Sequence, residues 1–238
     1  MIEFSPAPAT LPPDTRVYAI GDVHGCLDRL TVLHAAIADD LQARPVRDAV
    51  LLHIGDYIDR GPDSAQVIAW LRGPNPVPGT RAINLMGNHE NMMLAALQAD
   101  DDAPALLWLR NGGRETLASW RIGFRQPRSV WIGRIPPADL AFLRALALSH
   151  REGGYLFVHA GIRPGIPLES QDPHDLMWIR DPFLTFNGDL GVVVVHGHTP
   201  GPAPIIRPNR IGIDTGAVFG GKLTCAILET DRLGFLTA

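Results

Sequence analysis

Lysine is almost missing from this sequence. Lys222 is the only one in 238 residues, so arginine carries nearly all the positive charge. Codon bias is the simple account, since alanine, proline and glycine are also abundant; a preference for guanidinium as a bidentate phosphate binder would explain only a few of the arginines. Cysteine is scarce as well. Cys26 and Cys225 are too few for a disulfide framework, in a chain long enough to need none, so the expected compartment is a reducing cytoplasm. An excess of one charge sign is lacking: the net charge is −4 and the pI about 6.1, which argues against nucleic acid and membrane surfaces as partners. No apolar run approaches the roughly 18 residues of a membrane span. The opening MIEFSPAPATLPPD has an acid, several prolines and no apolar core, so it does not read as a signal peptide. Residues 1–15 are expected to form an extended arm on a domain covering 16–238. What remains is ordinary globular composition, 46% hydrophobic and 19% charged, at a length suited to one domain.

What is present is a repeated design. Five short apolar stretches each run into a polar cluster: Val17–Ile20 into GDVHG, Val50–Ile54 into Gly55-Asp56, Ile83–Met86 into Gly87-Asn88-His89, Leu156–Val158 into His159-Ala160-Gly161, and Val192–Val195 into His196-Gly197-His198. Runs this short, rich in Val and Ile and bounded by Gly, predict buried strands. The spacing between them predicts helices over 27–41, over 64–71 with Asp63 as N-cap, and over 91–97. Strand–helix alternation predicts an α/β layered domain with helices packed on the sheets. Residues 103–147 lack strand-end clusters and read as a helical cap beside the site. In the tail, 205–207, 211–213, 223–228 and 233–236 read as antiparallel hairpins that complete a second sheet. The Pro-rich stretches 73–79 and 200–208 read as rigid loops.

Open α/β sheets bind ligands at the carboxyl ends of their strands, and each of these five ends delivers a metal-type ligand. Asp22 and His24, two apart, share a side of an extended backbone. Asp56 has two oxygens with which to bridge cations. Asn88 offers a neutral carbonyl oxygen, and His159 and His198 offer imidazoles. This mixed N/O set suits Mn, Fe or Zn better than a thiolate-binding ion. Six ligands exceed the needs of one catalytic ion and suit two ions about 3.5–4 Å apart. A lone strand-end histidine is more often structural, but five such ends in one chain are hard to obtain by accident.

GDVHG (21–25), GDYIDRG (55–61), GNHE (87–90), HAG (159–161) and HGHT (196–199) occur in the order found in the calcineurin-like metallophosphoesterases. Within that superfamily the chain resembles the PPP-type serine/threonine protein phosphatases in their compact bacterial and phage form, from about residue 16 to 228. HAG departs from the more usual HGG but keeps the ligand His159. The resemblance implies a four-layer αββα sandwich of two mixed β-sheets flanked by helices, with a small helical cap. It implies two divalent ions, Mn2+ first with Fe or Zn as alternatives: one on Asp22, His24 and Asp56, the other on Asp56, Asn88, His159 and His198.

The same resemblance implies hydrolysis of phosphoserine and phosphothreonine monoesters, and of phosphotyrosine in bacterial relatives, by in-line attack of a hydroxide held at the two-metal centre. His89 would give the leaving alkoxide its proton, and Asp59 would orient His89 and favour its charged form. Arg60 offers a planar fork to phosphate oxygens, with Asn88 beside it. The segment DLMWIRDP (175–182) places Arg180 as a second clamp. WLRNGGRET (108–116) resembles a bacterial segment expected to wall the site; for Asn111 and Arg114, packing or helix capping competes with facing the substrate. Glu90 would brace its loop or cap the following helix. His196 is a candidate support for the ligand His198. Asp214 could bond the ligand loops or close a turn. Cys26 could be a thiolate near cations, though packing at a helix start is simpler. His34, His53, His150 and His174 read as structural or exposed.

Two other functions compete. A symmetrical dinucleoside (diadenosine) tetraphosphate hydrolase has a closely related sequence, but those enzymes tend to lack a carboxylate at the place of Asp59. A catalytically silent metal-binding module would have lost a ligand or the acid, and neither is missing. The expected partner is therefore a phosphoprotein or phosphopeptide substrate, with no obligatory protein partner, nucleic acid or membrane.

Overall fold

The computed structural model describes residues 2–238. In chain order the elements are β1 (Phe4–Pro6), β2 (Thr15–Ile20), α1 (Leu27–Ala43), β3 (Asp48–His53), α2 (Ser64–Arg72), β4 (Thr80–Asn84), α3 (Asn88–Gln98), α4 (Ala103–Trp108), α5 (Arg114–Ser119), α6 (Arg128–Arg134), α7 (Pro137–Arg144), β5 (Ser149–Glu152), β6 (Tyr155–Val158), α8 (Pro173–Trp178), β7 (Val193–His196), β8 (Ile205–Arg207), β9 (Arg210–Gly212), β10 (Thr224–Glu229) and β11 (Arg232–Thr237). They form a six-stranded sheet, β1-β11-β10-β2-β3-β4, and a five-stranded sheet, β5-β6-β7-β9-β8. Both are mixed: β2, β3 and β4 run parallel, as do β6, β7 and β9, and the remaining strands pair antiparallel.

Strand alternation builds the layers. Val17 and Ala19 of β2 and Val50 and Leu52 of β3 point between the sheets, where they meet Phe157, Val195 and Ile211. Tyr18, Ile20 and Leu51 point the other way, onto Leu30, Leu33 and Ile37 of α1 and Val67 of α2. The far face of the five-stranded sheet buries Leu156, Val158 and Val194 against Leu176, Ile179 and Phe183, so its covering layer is only α8 and the loop after it. Each fully buried Val, Leu or Ile contributes about 1.5–3 kcal/mol. The result is the expected pair of mixed sheets flanked by helices.

Four local expectations need correction. The tail does not complete one sheet: β8–β9 closes the five-stranded sheet, while β10–β11 joins the six-stranded one through Cys225↔Ile20 pairing with β2. Turn residues specify hairpins, but the strand that a hairpin then joins is a long-range choice. Helix α3 starts at Asn88, three residues before the apolar pattern suggests, because its polar first turn is buried against other loops. Asp63 stands at the start of α2 but makes no capping hydrogen bond. The first residues do more than lie on the surface: β1 pairs with β11, and Leu11 is buried between the sheets. Residues 103–147 hold α4 to α7. No helix among the described residues is long and apolar enough to cross a membrane.

Candidate active site

The parallel strands β2, β3, β4, β6 and β7 send their C-terminal ends to one place, and the sharp turns there set the side-chain directions. Among the described residues, five of the eight non-glycine residues with positive φ are His24 (45°), Asp56 (53°), Asp59 (74°), Arg60 (69°) and His198 (64°). Such conformations cost of order 1–3 kcal/mol each and persist only where packing over-determines them. Asp22 and His24 therefore converge through a turn, not through the pleat of an extended strand, and the same holds at His196-Gly197-His198.

Glu90 ties these turns together. Its carboxylate accepts the N–H groups of Asp56 (2.9 Å), Tyr57 (2.8 Å), Ile58 (3.3 Å) and Gly87 (2.9 Å). The loops after β3 and β4 thus share one buried acceptor. Burial and the Asp56 charge push its pKa up to about 8, and the donated N–H groups act against this. Glu90 is a brace, as expected.

The lone pairs then converge without enough donors. His24 Nδ1 donates to Ile58 O (2.7 Å) and His159 Nδ1 donates to Ile54 O (3.0 Å). Burial lowers both pKa values, His24 to about 3, so each ring is neutral and its Nε2 carries a lone pair. These Nε2 atoms face the two oxygens of one carboxylate: Asp56 Oδ2 lies 3.4 Å from His24 Nε2, and Oδ1 lies 3.5 Å from His159 Nε2. Asn88 Oδ1 stands 2.9 Å from both His159 Nε2 and His198 Nδ1. His198 is neutral too, its pKa lowered by burial to about 3, and its Nε2 is buried with no hydrogen-bond partner among the described residues. Acceptors packed against acceptors are satisfied by cations. Two groups within cation reach emerge, His24–Asp56–His89 and Asp56–His159–His198, and they share Asp56. The residues fit a two-ion centre bridged by that carboxylate.

Asp22 stands at the edge of this cluster. Its oxygens accept the N–H of His198 (3.1 and 3.3 Å), and burial together with the charges of Asp214 and Asp56 raises its pKa well above the ordinary range. Asp214 closes the next turn by accepting Gly216 N–H (2.9 Å), the second of the two roles considered for it.

His89 is held differently. Its Nδ1–H donates to Asp59 Oδ2 at 2.7 Å in a fully buried pair. Burial opposes the charged ring, but the Asp56 and Asp59 carboxylates outweigh it and raise the His89 pKa. Burial also raises Asp59, against the pull of His89, Thr116 and Trp108. Thr116 Oγ1–H donates to Asp59 Oδ1 at 2.6 Å, and Trp108 Nε1–H lies 3.0 Å from both oxygens. Sequence reading missed these two supports. The signal was present, since both lie in WLRNGGRET, but only the charged or amide residues of that segment looked functional.

The arginines flank the cluster. Arg60 Nη1 donates to the free lone pair of His24 Nε2 at 2.7 Å. Arg180 is exposed just beyond α8, and its charge is among the lesser causes that lower the His198 pKa. Asn111 bonds Leu107 O (2.8 Å), and Arg114 lies over the Phe124 ring (4.8 Å). His196 is not brought to the cluster: its ring bonds Gly197 O (3.1 Å) and Arg210 (3.3 Å). Burial raises the Cys26 pKa, which favours packing over a reactive thiolate. Buried His34 and His53 bond each other (2.8 Å), His150 pairs with Glu152 (3.1 Å), and exposed His174 stacks on Trp178.

Comparison with known proteins places this geometry. The model of the calcineurin-like phosphoesterase family matches residues 15–235. The chain is similar to serine/threonine-protein phosphatase 1 of Salmonella typhimurium, 31% identical over 90% of this chain and 92% of that one. It is also similar to the asymmetrical bis(5'-nucleosyl)-tetraphosphatase PrpE of Halalkalibacterium halodurans, 29% identical over 86% of this chain and 87% of that one. Among solved structures, one described as a putative diadenosine tetraphosphatase superposes with a TM-score of 0.66 at 21% identity, covering 97% of this chain and 98% of that one; it shares the fold.

Proposed function

The chain belongs to the calcineurin-like phosphoesterase family, and we propose that within it this protein is a metal-dependent phosphomonoesterase acting on phosphoserine and phosphothreonine in proteins, with phosphotyrosine as a further substrate. Two divalent ions, Mn2+ first among the candidates, would sit on Asp22, His24 and Asp56 and on Asp56, Asn88, His159 and His198; when bound they supply a nucleophilic hydroxide at neutral pH and neutralise phosphoryl charge. Arg60 and Arg180, with Asn88 beside them, orient the phosphoryl group by charge-assisted hydrogen bonds. His89 carries its transferable proton on Nε2, because Nδ1–H is committed to Asp59. That proton goes to the leaving oxygen of the serine or threonine side chain. Two free thiols, Cys26 and Cys225, suit a cytoplasmic enzyme.

The observation that carries this reading is the buried Asp59–His89 pair. A serine alkoxide is a poor leaving group and needs a general acid, worth typically 10²–10⁴-fold. A nucleotide leaving from a polyphosphate is already a stable anion and needs less help. The second reading, dinucleoside tetraphosphate cleavage, draws its support from the PrpE relative, which spans nearly the whole chain.

Phosphate release from a phosphoserine peptide and cleavage of diadenosine tetraphosphate, measured side by side on one Mn2+-loaded sample with an EDTA control, separate the two. Faster peptide turnover, abolished by EDTA, is expected. Preference for the dinucleotide would overturn the proposal, and the products would then tell symmetrical cleavage (two ADP) from asymmetrical cleavage (ATP and AMP).

A further inference from the structure

An open pocket of about 650 Å3 adjoins the site on the Arg60 side, lined by Arg60, Arg110, Asn111, Arg114, Glu115 and Phe219 among others. It is as large as many small-ligand pockets, roughly 300–1,000 Å3, and far exceeds what one phosphoryl group needs. Three arginines face it against a single carboxylate. None of the three makes an ion pair among the described residues, unlike Arg16, Arg44 or Arg163 elsewhere in the molecule. Arg60 has a neutral partner in His24 and Arg114 one in the Phe124 ring, so no carboxylate neutralises the three charges.

The pocket is joined to the reaction centre by Arg60 itself. One face of that side chain reaches His24 Nε2 (2.7 Å), and its guanidinium lies 5.3 Å from the Phe219 ring on the pocket side. The wall is fixed to Arg60 as well. Gly112, at φ 109°, receives the Arg60 N–H on its carbonyl (3.3 Å), and a Cβ there would come 2.9 Å from Arg60 Cγ. Phe219 is 64% exposed on a short turn that follows a buried run, 211–217, and is flanked by Gly216 and Gly220 at positive φ. The chain thus presents a cationic surface without ion pairs and with one apolar ring, continuous with the Arg60 guanidinium that the proposed function assigns to phosphate.

We propose that this pocket is a specificity subsite that takes acidic side chains next to the phosphorylated residue of a phosphoprotein substrate, an inference that rests on the phosphomonoesterase reading above. Carboxylates two or three residues from the phosphoryl group meet Arg110 and Arg114 while Arg60 keeps the phosphoryl group, and the aliphatic parts of the peptide lie on Phe219. Arg110 and Arg114 are positioning residues for substrate, outside the reacting atoms. Exposed charge pairs contribute about 0.2–1 kcal/mol each and are screened by salt, so the preference is moderate and salt-dependent.

The test uses three phosphoserine peptides that differ only in flanking Glu, Ala or Lys residues, with p-nitrophenyl phosphate as a substrate too small to reach the pocket. The native enzyme should rank kcat/KM as Glu over Ala over Lys at low salt, and the ranking should flatten at high salt. Arg110→Glu/Arg114→Glu should lower kcat/KM for the Glu peptide by roughly 10-fold, gain on the Lys peptide, and leave p-nitrophenyl phosphate unchanged. A fold defect cannot produce that reversal. Equal cleavage of the Glu and Ala peptides by the native enzyme, or equal losses on all peptides in the variant, would overturn the subsite while the phosphatase reading stands. Turnover of diadenosine tetraphosphate with none of any phosphopeptide would overturn both.

Discussion

The two ends of strand β2 hold charged residues arranged by opposite rules. At its N-terminal end every buried acid has a cation. Arg16 forms an ion pair with Glu229 (2.8 Å), Asp40 accepts from Arg44 (2.9 and 2.7 Å) and from Tyr18 (2.6 Å), and Arg44 also reaches Glu229. At its C-terminal end Asp22, Asp56, Asp214 and Glu90 crowd together around the neutral rings of His24, His159 and His198, with lone pairs facing lone pairs and backbone in left-handed conformations. The first end ties β2, β10 and α1 together. The second spends stability to create a place for positive charge. Where buried groups satisfy one another they hold a fold together; where they share one unmet need they indicate the ligand.

Variants can break this contrast at either end. The largest expected effect is that of Asp56→Asn. It removes the carboxylate common to both groups, so bound metal should fall by at least one ion per chain and turnover by roughly 10³-fold or more, since the metal is what makes water nucleophilic at neutral pH. Full metal content in that variant would remove Asp56 as the bridge. His89→Asn comes next, with an expected loss of roughly 10²–10⁴-fold on alkyl phosphates and a smaller loss on p-nitrophenyl phosphate, whose leaving group needs little acid help. Equal losses on the two substrates would take the general-acid role from His89.

The remaining two variants act on stability and with opposite signs. The hydrogen bonds and charge of Arg44, with the Tyr18 hydroxyl, hold the Asp40 pKa below its ordinary value against the effect of burial. A depressed carboxylate stabilises above the unfolded pKa, and that stability is lost as pH falls through the folded pKa. Asp40→Asn should therefore destabilise by about 2–4 kcal/mol at pH 7, with the deficit shrinking below about pH 4. Asp214 is the reverse case: burial and neighbouring Asp56 raise its pKa to about 6. Between pH 4 and 6 the unfolded chain loses this proton before the folded one does. Chelator-treated Asp214→Asn should thus gain about 1–2 kcal/mol over the native protein above pH 6 and nothing below pH 4, by urea unfolding. Metal loading should erase that gain.

Much of this site was legible because its chemistry is local. Each candidate ligand lies within a few residues of a short apolar strand, and Gly beside it announces the turn, so the motifs at 21–25, 55–61 and 87–90 carry their own context. The strand-end rule then brings separate motifs together. What stayed hidden depends on distant packing. Trp108 and Thr116 look like cap residues, yet their bonds fix Asp59 from another segment. His196 looks like a companion to His198, but the positive φ of His198 breaks the alternation, and Arg210 takes the ring instead. The tail hairpins were legible as hairpins; the sheet each joins is decided by its tertiary partner, the nearby β7 for β9 (Val194↔Arg210) and the distant β2 for β10 (Cys225↔Ile20).

Metal content and phosphate release determined on one preparation, before and after chelation and after reloading with Mn2+, test the two-ion centre most directly. Two divalent ions per chain are expected when loaded, with turnover disappearing as they are stripped and returning as they are restored. Turnover that survives complete removal of metal, or full turnover with no metal bound at the Asp56 cluster, would contradict it.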